Sequence, residues 1–171
     1  MNSIISLPSR KYLLYAVAFI AIVVDQYTKL LVRNNMLVGE TIIVHPVLRN
    51  IFDLTYTTNT GVAFGMFKAI GPVVSVIAIL VVAIIIYYNN QLSERDIWLR
   101  VALGMQMGGA IGNNLIDRLF LGSVVDFLHI HYWPIFNIAD SCITVGVAIM
   151  AILMIREIRQ EKLIERFGSN D

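Results

Sequence analysis

Apolar and polar positions divide the chain into four long apolar stretches separated by mixed segments. The first runs from Tyr12 to Val24, breaks into Asp25-Gln26-Tyr27-Thr28-Lys29, and resumes as Leu30-Leu31-Val32. Carried to Arg33 it predicts a helix of about 33 Å, enough to cross a ~30 Å hydrocarbon core. Arg10-Lys11 ahead of it is also how a secretory signal peptide begins, but no small-residue cleavage pattern follows, so a retained membrane helix is expected. Ile70–Tyr88 carries no charge and predicts a second spanning helix able to face lipid all round. Ile97–Leu121 predicts a third, whose Gly104, Gly108 and Gly112 recur every four residues and allow another helix backbone to approach closely. Ile135–Ile155 predicts a fourth, followed by a charged, amphipathic tail from Arg156. Between the first two lies a mixed segment, residues 34–69, in which Thr41–Val44 and the alternating Phe52-Asp53-Leu54-Thr55-Tyr56-Thr57 have the period of half-buried strands. Such backbone cannot face lipid, so a small strand-rich layer outside the hydrocarbon is expected from Thr41 to Phe67. Gly122–Pro134 is expected to be a loop.

Composition agrees with this pattern. At 57% hydrophobic and 15% charged residues, with a mean hydropathy of +0.72, the chain exceeds what soluble domains show. The expectation is one mainly α, four-helix integral membrane domain spanning residues 1–171. The net charge of +1 gives no field for nucleic acid, and the single cysteine excludes an internal disulfide. Arg10, Lys11, Arg95, Arg100, Arg156, Arg159, Lys162 and Arg166 fall on one side of a four-span topology, against Arg33, Arg49 and Lys68. Both termini are therefore expected in the cytoplasm.

The chemistry lies in what interrupts the apolar runs. Asp117, Arg118, Asp126 and Asp140, with Asn113, Asn114 and Asn137, sit among residues apolar enough for a bilayer, where an ionisable group costs at least ~2.5 kcal/mol and is functional by default. In the four-span topology Asp25, Lys29, Asn113, Asp117, Asn137 and Asp140 converge at one depth, just below the extracytoplasmic surface. Spacing of four pairs Asp25 with Lys29 and Asn113 with Asp117 on shared helix faces. Asp126 and Asp140 have no Lys or Arg three or four positions away. Folded together, two such carboxylates cannot both ionise cheaply, so one keeps a proton while the other acts as a base on water.

Five blocks carry a resemblance: Asp25-x-x-Thr-Lys29, Asn59-Thr-Gly61-Val-Ala63-Phe64, Gly108-Gly109-x-x-Gly112-Asn113-x-x-Asp117-Arg118, Val125-Asp126-Phe127 and Phe136-Asn137-x-Ala139-Asp140-Ser141. In this order they resemble the signature blocks of bacterial lipoprotein signal peptidases, the type II signal peptidase family. The resemblance implies a cofactor-free aspartyl endopeptidase of the bacterial inner membrane, cutting a prolipoprotein just before its diacylglyceryl-modified cysteine. It implies Asp126 and Asp140 as the catalytic pair. Asp25, Lys29, Asn59, Gly61, Asn113, Asp117, Arg118, Asn137 and Ala139 would shape the site or hold substrate, and globomycin-type cyclic peptides would inhibit. No metal is expected.

Plainer readings stand beside these. Thr58-Asn59-Thr60-Gly61 also fits a simple turn, the glycines of the third helix are packing devices whatever the function, and Cys142 suits a small buried hydrophobe better than a nucleophile. His129 and His131 beside Tyr132 and Trp133 read as interfacial residues. A metallopeptidase built on Asp126, His129 and His131, a proton-coupled carrier and a non-catalytic assembly factor are the other classes; a carrier would want polar residues in the cytoplasmic half, which the sequence lacks.

Overall fold

In chain order the elements are α1 (Lys11–Asn35), β1 (Thr41–Ile42), β2 (Phe52–Asn59), α2 (Gly71–Asn89), α3 (Ile97–Ala110) running on into a wider π-type coil (Ile111–Leu121), β3 (Val124–Ile130) and α4 (Ile138–Phe167). This is a computed structural model describing residues 10–59 and 71–167.

α1 buries one stripe at helical spacing, Leu14, Ala18, Ala21, Asp25, Lys29 and Val32, while Phe19, Ile20, Val23, Tyr27 and Leu30 on its other side are exposed. α2 likewise exposes Val76, Ile77, Leu80 and Ile84. An exterior as apolar as the core is unlike a soluble domain, and contiguous exposed apolar surface of this kind belongs against lipid. α1 and α4 are each long and apolar enough to cross a membrane.

α3 lies between α1 and α4, and its glycines let it do so. A Cβ on Gly108 would stand 2.7 Å from Ala21 Cβ and 2.8 Å from the Ala18 carbonyl oxygen; one on Gly109 would stand 2.5 Å from the Ala139 carbonyl oxygen. The close backbone approach expected from the every-fourth-residue glycines is therefore present. Gly108→Ala should force α1 and α3 apart and cost about 1–3 kcal/mol of overpacking, seen as a lower melting temperature in detergent. Unchanged melting would mean that the α1–α3 spacing is not fixed by contact.

Three boundaries differ from expectation. Gly122–Pro134 is not all loop: Val124–Ile130 is a strand, pairing antiparallel with β2 to complete a sheet of order β1-β2-β3. Its run of β-branched and aromatic residues suits a strand, but the partner lies far upstream. α4 starts at Ile138 rather than Ile135, because Asn137 caps it, and continues through the charged tail to Phe167. The third helix widens from Ile111. Polar side chains meet carbonyls of the widened stretch: Ser75 Oγ donates to the Asn114 carbonyl at 3.0 Å and Asn114 Nδ2 to the Ala110 carbonyl at 3.2 Å. Such widenings concentrate at functional sites. Gly122, at φ 82°, then ends the helix in the left-handed conformation.

Arg100 is also placed differently from a flanking surface charge. It is buried, with its guanidinium on the carbonyl and side chain of Asn89 and on the carbonyls of Leu92 and Ser93, where it satisfies the C-terminal end of α2. The sheet packs at the other end of the bundle, Tyr56, Val125 and Phe127 closing over Val32 of α1 and Met36, its C-cap. That puts β3 beside the polar turn of α1.

Candidate active site

The site begins with Lys29. One turn before the sheet it is fully buried, as are Asp25 and Asp117. Its Nζ lies 2.7 Å from Asp25 Oδ2 and 2.5 Å from Asp117 Oδ2, and donates to Asn113 Oδ1 at 2.7 Å. Arg33 Nη2 approaches Asp117 Oδ1 at 3.6 Å, so two carboxylates face two cations and the cluster is neutral. A buried charge needs this: removing both partners' charge from water is repaid only by close geometry and further hydrogen bonds. Asp25 holds a second helix as well, its Oδ1 accepting from the Ala139 N–H at 2.9 Å, at the start of α4 where N–H groups lack helical partners.

Asn137 joins the remaining parts. Its backbone N–H donates to Asp140 Oδ2 at 3.2 Å while the Asp140 N–H donates to its Oδ1 at 3.0 Å, a reciprocal capping box at the head of α4. Its Nδ2 donates to Asp126 Oδ1 at 2.7 Å and to Asn113 Oδ1 at 3.0 Å. The chain reaches this position because Phe136 returns onto β3, exchanging N–H and carbonyl with Leu128 at 3.0 and 2.8 Å. In an antiparallel register fixed by Leu128 and Phe136, Asp126 falls opposite the start of α4. Asn113 Nδ2 holds Asp140 Oδ1 at 2.8 Å, and Asn59 Nδ2, from the end of β2, reaches Asp126 Oδ2 at 3.4 Å. Four elements thus present two carboxylates, each held by amides.

Asp126, on β3, is buried. Burial, and then the charge of Asp140, push its carboxyl up from 3.8 to about 6, against hydrogen bonds from Asn137 and Asn59 and the field of Lys29. A group so placed is poised near neutrality and suited to hold or yield a proton. Asp140 also opens onto a largely apolar cleft of about 620 Å³, lined by Ile130, His131, Trp133, Phe136 and Thr144. Buried polar groups converging at the mouth of an apolar cleft are the usual form of a binding site.

Of the residues singled out in the sequence, Asp25, Lys29, Asn59, Asn113, Asp117, Asn137, Ala139, Asp126 and Asp140 come together. Gly61 and the rest of the Asn59–Phe64 loop after Asn59 lie outside the described residues. Asn113 and Asp117 meet over Lys29 rather than each other, a correction to the pairing expected from spacing: from the widened coil both side chains reach the one ammonium. Arg118 Nη1 donates to Asn114 Oδ1 at 2.8 Å. Gln26 was missed; its Nε2 bridges Asp25 Oδ2 and Asp117 Oδ1, both at 3.1 Å, and its place inside the polar break of α1 was the available signal. Cys142 is half-buried in α4. His129 and His131 turn to Asp53, not Asp126, which removes the metallopeptidase arrangement considered from sequence.

Comparison with known proteins bears on the same residues. A family model described as signal peptidase (SPase) II matches residues 17–156. Lipoprotein signal peptidases of Symbiobacterium thermophilum and Desulfitobacterium hafniense are 44% and 43% identical to the chain, over 89% and 83% of its length and 95% and 92% of theirs. That of Pseudomonas putida is 39% identical over 84% of the chain and 87% of its own. Two solved structures of bacterial membrane enzymes superpose with TM-scores of 0.77 and 0.74 at 28% and 30% identity, covering 85% and 82% of this chain and 88% and 91% of theirs.

Proposed function

The chain belongs to the signal peptidase II family, a bacterial inner-membrane aspartic peptidase that processes prolipoproteins, and we propose that Asp126 and Asp140 are the pair with which it does so. The observation that carries this is Asn137, one side chain that holds Asp126 through its amide and Asp140 through a capping box. The pair shares one proton, which we assign to Asp126, and Asp140 is the base. Asp140 takes a proton from water as the water oxygen attacks the scissile carbonyl carbon, and Asp126 donates to the carbonyl oxygen. The tetrahedral intermediate collapses as the C–N bond breaks: the amine leaves with the proton that Asp140 had taken, and a hydroxyl of the intermediate returns its proton to Asp126 as C=O re-forms.

The rest of the cluster acts by position. Lys29, Asp25 and Asp117 fasten α1 to α3 and α4, and Asn113 carries that geometry to Asp140. We read all four helices as spanning, with both termini cytoplasmic and the whole chain one domain. The sheet then lies at the extracytoplasmic face, with the dyad just beneath it. What supports this is the excess of basic residues at the end opposite the sheet and the apolar exterior of α1 and α2. Gly61 lies outside the described residues and is assigned to the site by the resemblance of its sequence block alone.

A dyad at that depth cuts only a bond presented there. Acyl chains on the substrate cysteine, kept in the bilayer, hold the scissile bond at the cleft beside Asp140, the proximity effect that oriented binding supplies. Prolipoprotein lacking the diacylglyceryl group should therefore be cleaved far more slowly by the purified enzyme than its lipidated form. Equal rates, read as band shifts on a gel, would refute anchoring through the lipid. Globomycin-type cyclic peptides compete by setting a hydroxyl between the two carboxylates, so their affinity should fall when both are replaced by asparagine.

A further inference from the structure

Toward the far end of the β2–β3 ladder from Asp126 lies a second polar cluster that the peptidase reaction does not use. His129 lies on β3 and is the direct cross-strand partner of Asp53, and His131 follows in the turn just past the strand's end. His129 Nδ1 stands 2.9 Å from Asp53 Oδ1 and His131 Nε2 2.8 Å from Asp53 Oδ2. The rings stack with centroids 4.8 Å apart and planes 17° from parallel. Each imidazole therefore aims one nitrogen at the same buried carboxylate.

We propose that Asp53, His129 and His131 form a binding site for a divalent transition metal of the zinc class, separate from the dyad. The three donor atoms lie within 4.8 Å of one another. Tetrahedral Zn²⁺ with bonds of ~2.0–2.1 Å needs donors roughly 3.3 Å apart, a convergence that small ring rotations supply. Two imidazoles and a carboxylate suit Zn²⁺, Ni²⁺ or Cu²⁺ and not Mg²⁺ or Ca²⁺, which take oxygen. The outer shell is in place as well: Thr55 Oγ1 donates to Asp53 Oδ1 at 2.8 Å, fixing the carboxylate as ligand-bearing groups require. With about a third of each imidazole exposed, 27% and 32%, an ion has a path in and a coordination position left for water. In the metal-free form the imidazole N–H groups donate to Asp53; an ion replaces those protons. His131 also lines the cleft beside Asp140, so the ion would stand at its rim.

The test uses tag-free, metal-stripped full-length protein in detergent, titrated calorimetrically with Zn²⁺ and followed by visible absorption with Co²⁺. One saturable equivalent is expected, with Co²⁺ giving the ligand-field bands of a four- or five-coordinate site. His129→Gln and His131→Gln should each weaken binding at least ~10-fold, and Thr55→Val by ~10–100-fold through the outer shell. Zn²⁺ should raise the melting temperature of the wild type and not of His129→Gln, a comparison made within each protein and so valid even where the substitution lowers the starting value. Absence of saturable binding, or equal binding by wild type and His129→Gln, overturns the site. Turnover by the metal-stripped enzyme should be undiminished; a loss restored by Zn²⁺ would make the ion catalytic and overturn its separateness from the dyad.

Discussion

Asp126→Asn is expected to abolish prolipoprotein cleavage while making the folded protein more stable at neutral pH. The first effect follows because an amide neither carries nor donates the proton at issue, and loss of positioned acid–base catalysis alone is worth ~10²–10⁴-fold; Asp140→Asn should be as severe. The second follows from linkage. Between 3.8 and about 6 the native state holds a proton on Asp126 that the unfolded chain has released, so native stability falls as pH rises through that window and stays lower above it. At ~1.4 kcal/mol per tenfold change, the rise from 3.8 to about 6 is worth on the order of 3 kcal/mol, an upper figure because the carboxyl retains some contact with solvent. Asparagine escapes this cost and keeps the acceptor that Asn137 Nδ2 uses. Melting temperatures of the two proteins in detergent should converge near pH 4 and separate as pH approaches neutrality, with the variant higher. Substantial residual turnover would remove Asp126 from the chemistry; a variant less stable than wild type at neutral pH would mean that its carboxylate is a structural anion.

What the sequence made legible was set by range. The helices could be read because each is a local run of apolar residues whose length matches a bilayer, and the Asp25–Lys29 pair because four residues close one turn. The strand Val124–Ile130 could not, since its partner β2 lies beyond two helices and a strand has no partner within itself. The widening of the third helix was hidden for a related reason: its Asn114 carbonyl is met by Ser75, from α2, and Asn113 and Asp117, expected to pair, became two arms around Lys29. Asp126 and Asp140 stood out by lacking a nearby cation, an absence that local spacing does reveal. That Asn137 ties them together required the return of Phe136 onto Leu128. Asp53 gave no signal at all, because only the register of β2 on β3 brings it to His129 and His131.

Lys29→Met should cost more stability than any other single change in the cluster. The ammonium is fully buried between Asp25 and Asp117, and removing it leaves two buried carboxylates with Arg33, 3.6 Å from Asp117, as their remaining cation. Breaking such a pair from one side costs about 3–5 kcal/mol, roughly 6–20 °C in melting temperature for a chain of this size. Activity should fall with it, since Asn113 Oδ1 loses the shorter of its two donors and keeps only Asn137 Nδ2 at 3.0 Å, which holds its amide less firmly on Asp140 Oδ1. Stability and activity should separate in the double variant Asp117→Asn/Lys29→Met. Removing one charge of each sign restores neutrality, leaving Asp25 opposite Arg33 at longer range, so part of the lost melting temperature should return. The ammonium that oriented Asn113 is still missing, so turnover should stay low, with the loss in kcat rather than KM because a displaced dyad reacts poorly with substrate that still binds. Recovery of full turnover along with stability would show that Lys29 serves the fold alone, and unchanged melting in Lys29→Met would show that the cluster is hydrated and its charges never needed one another.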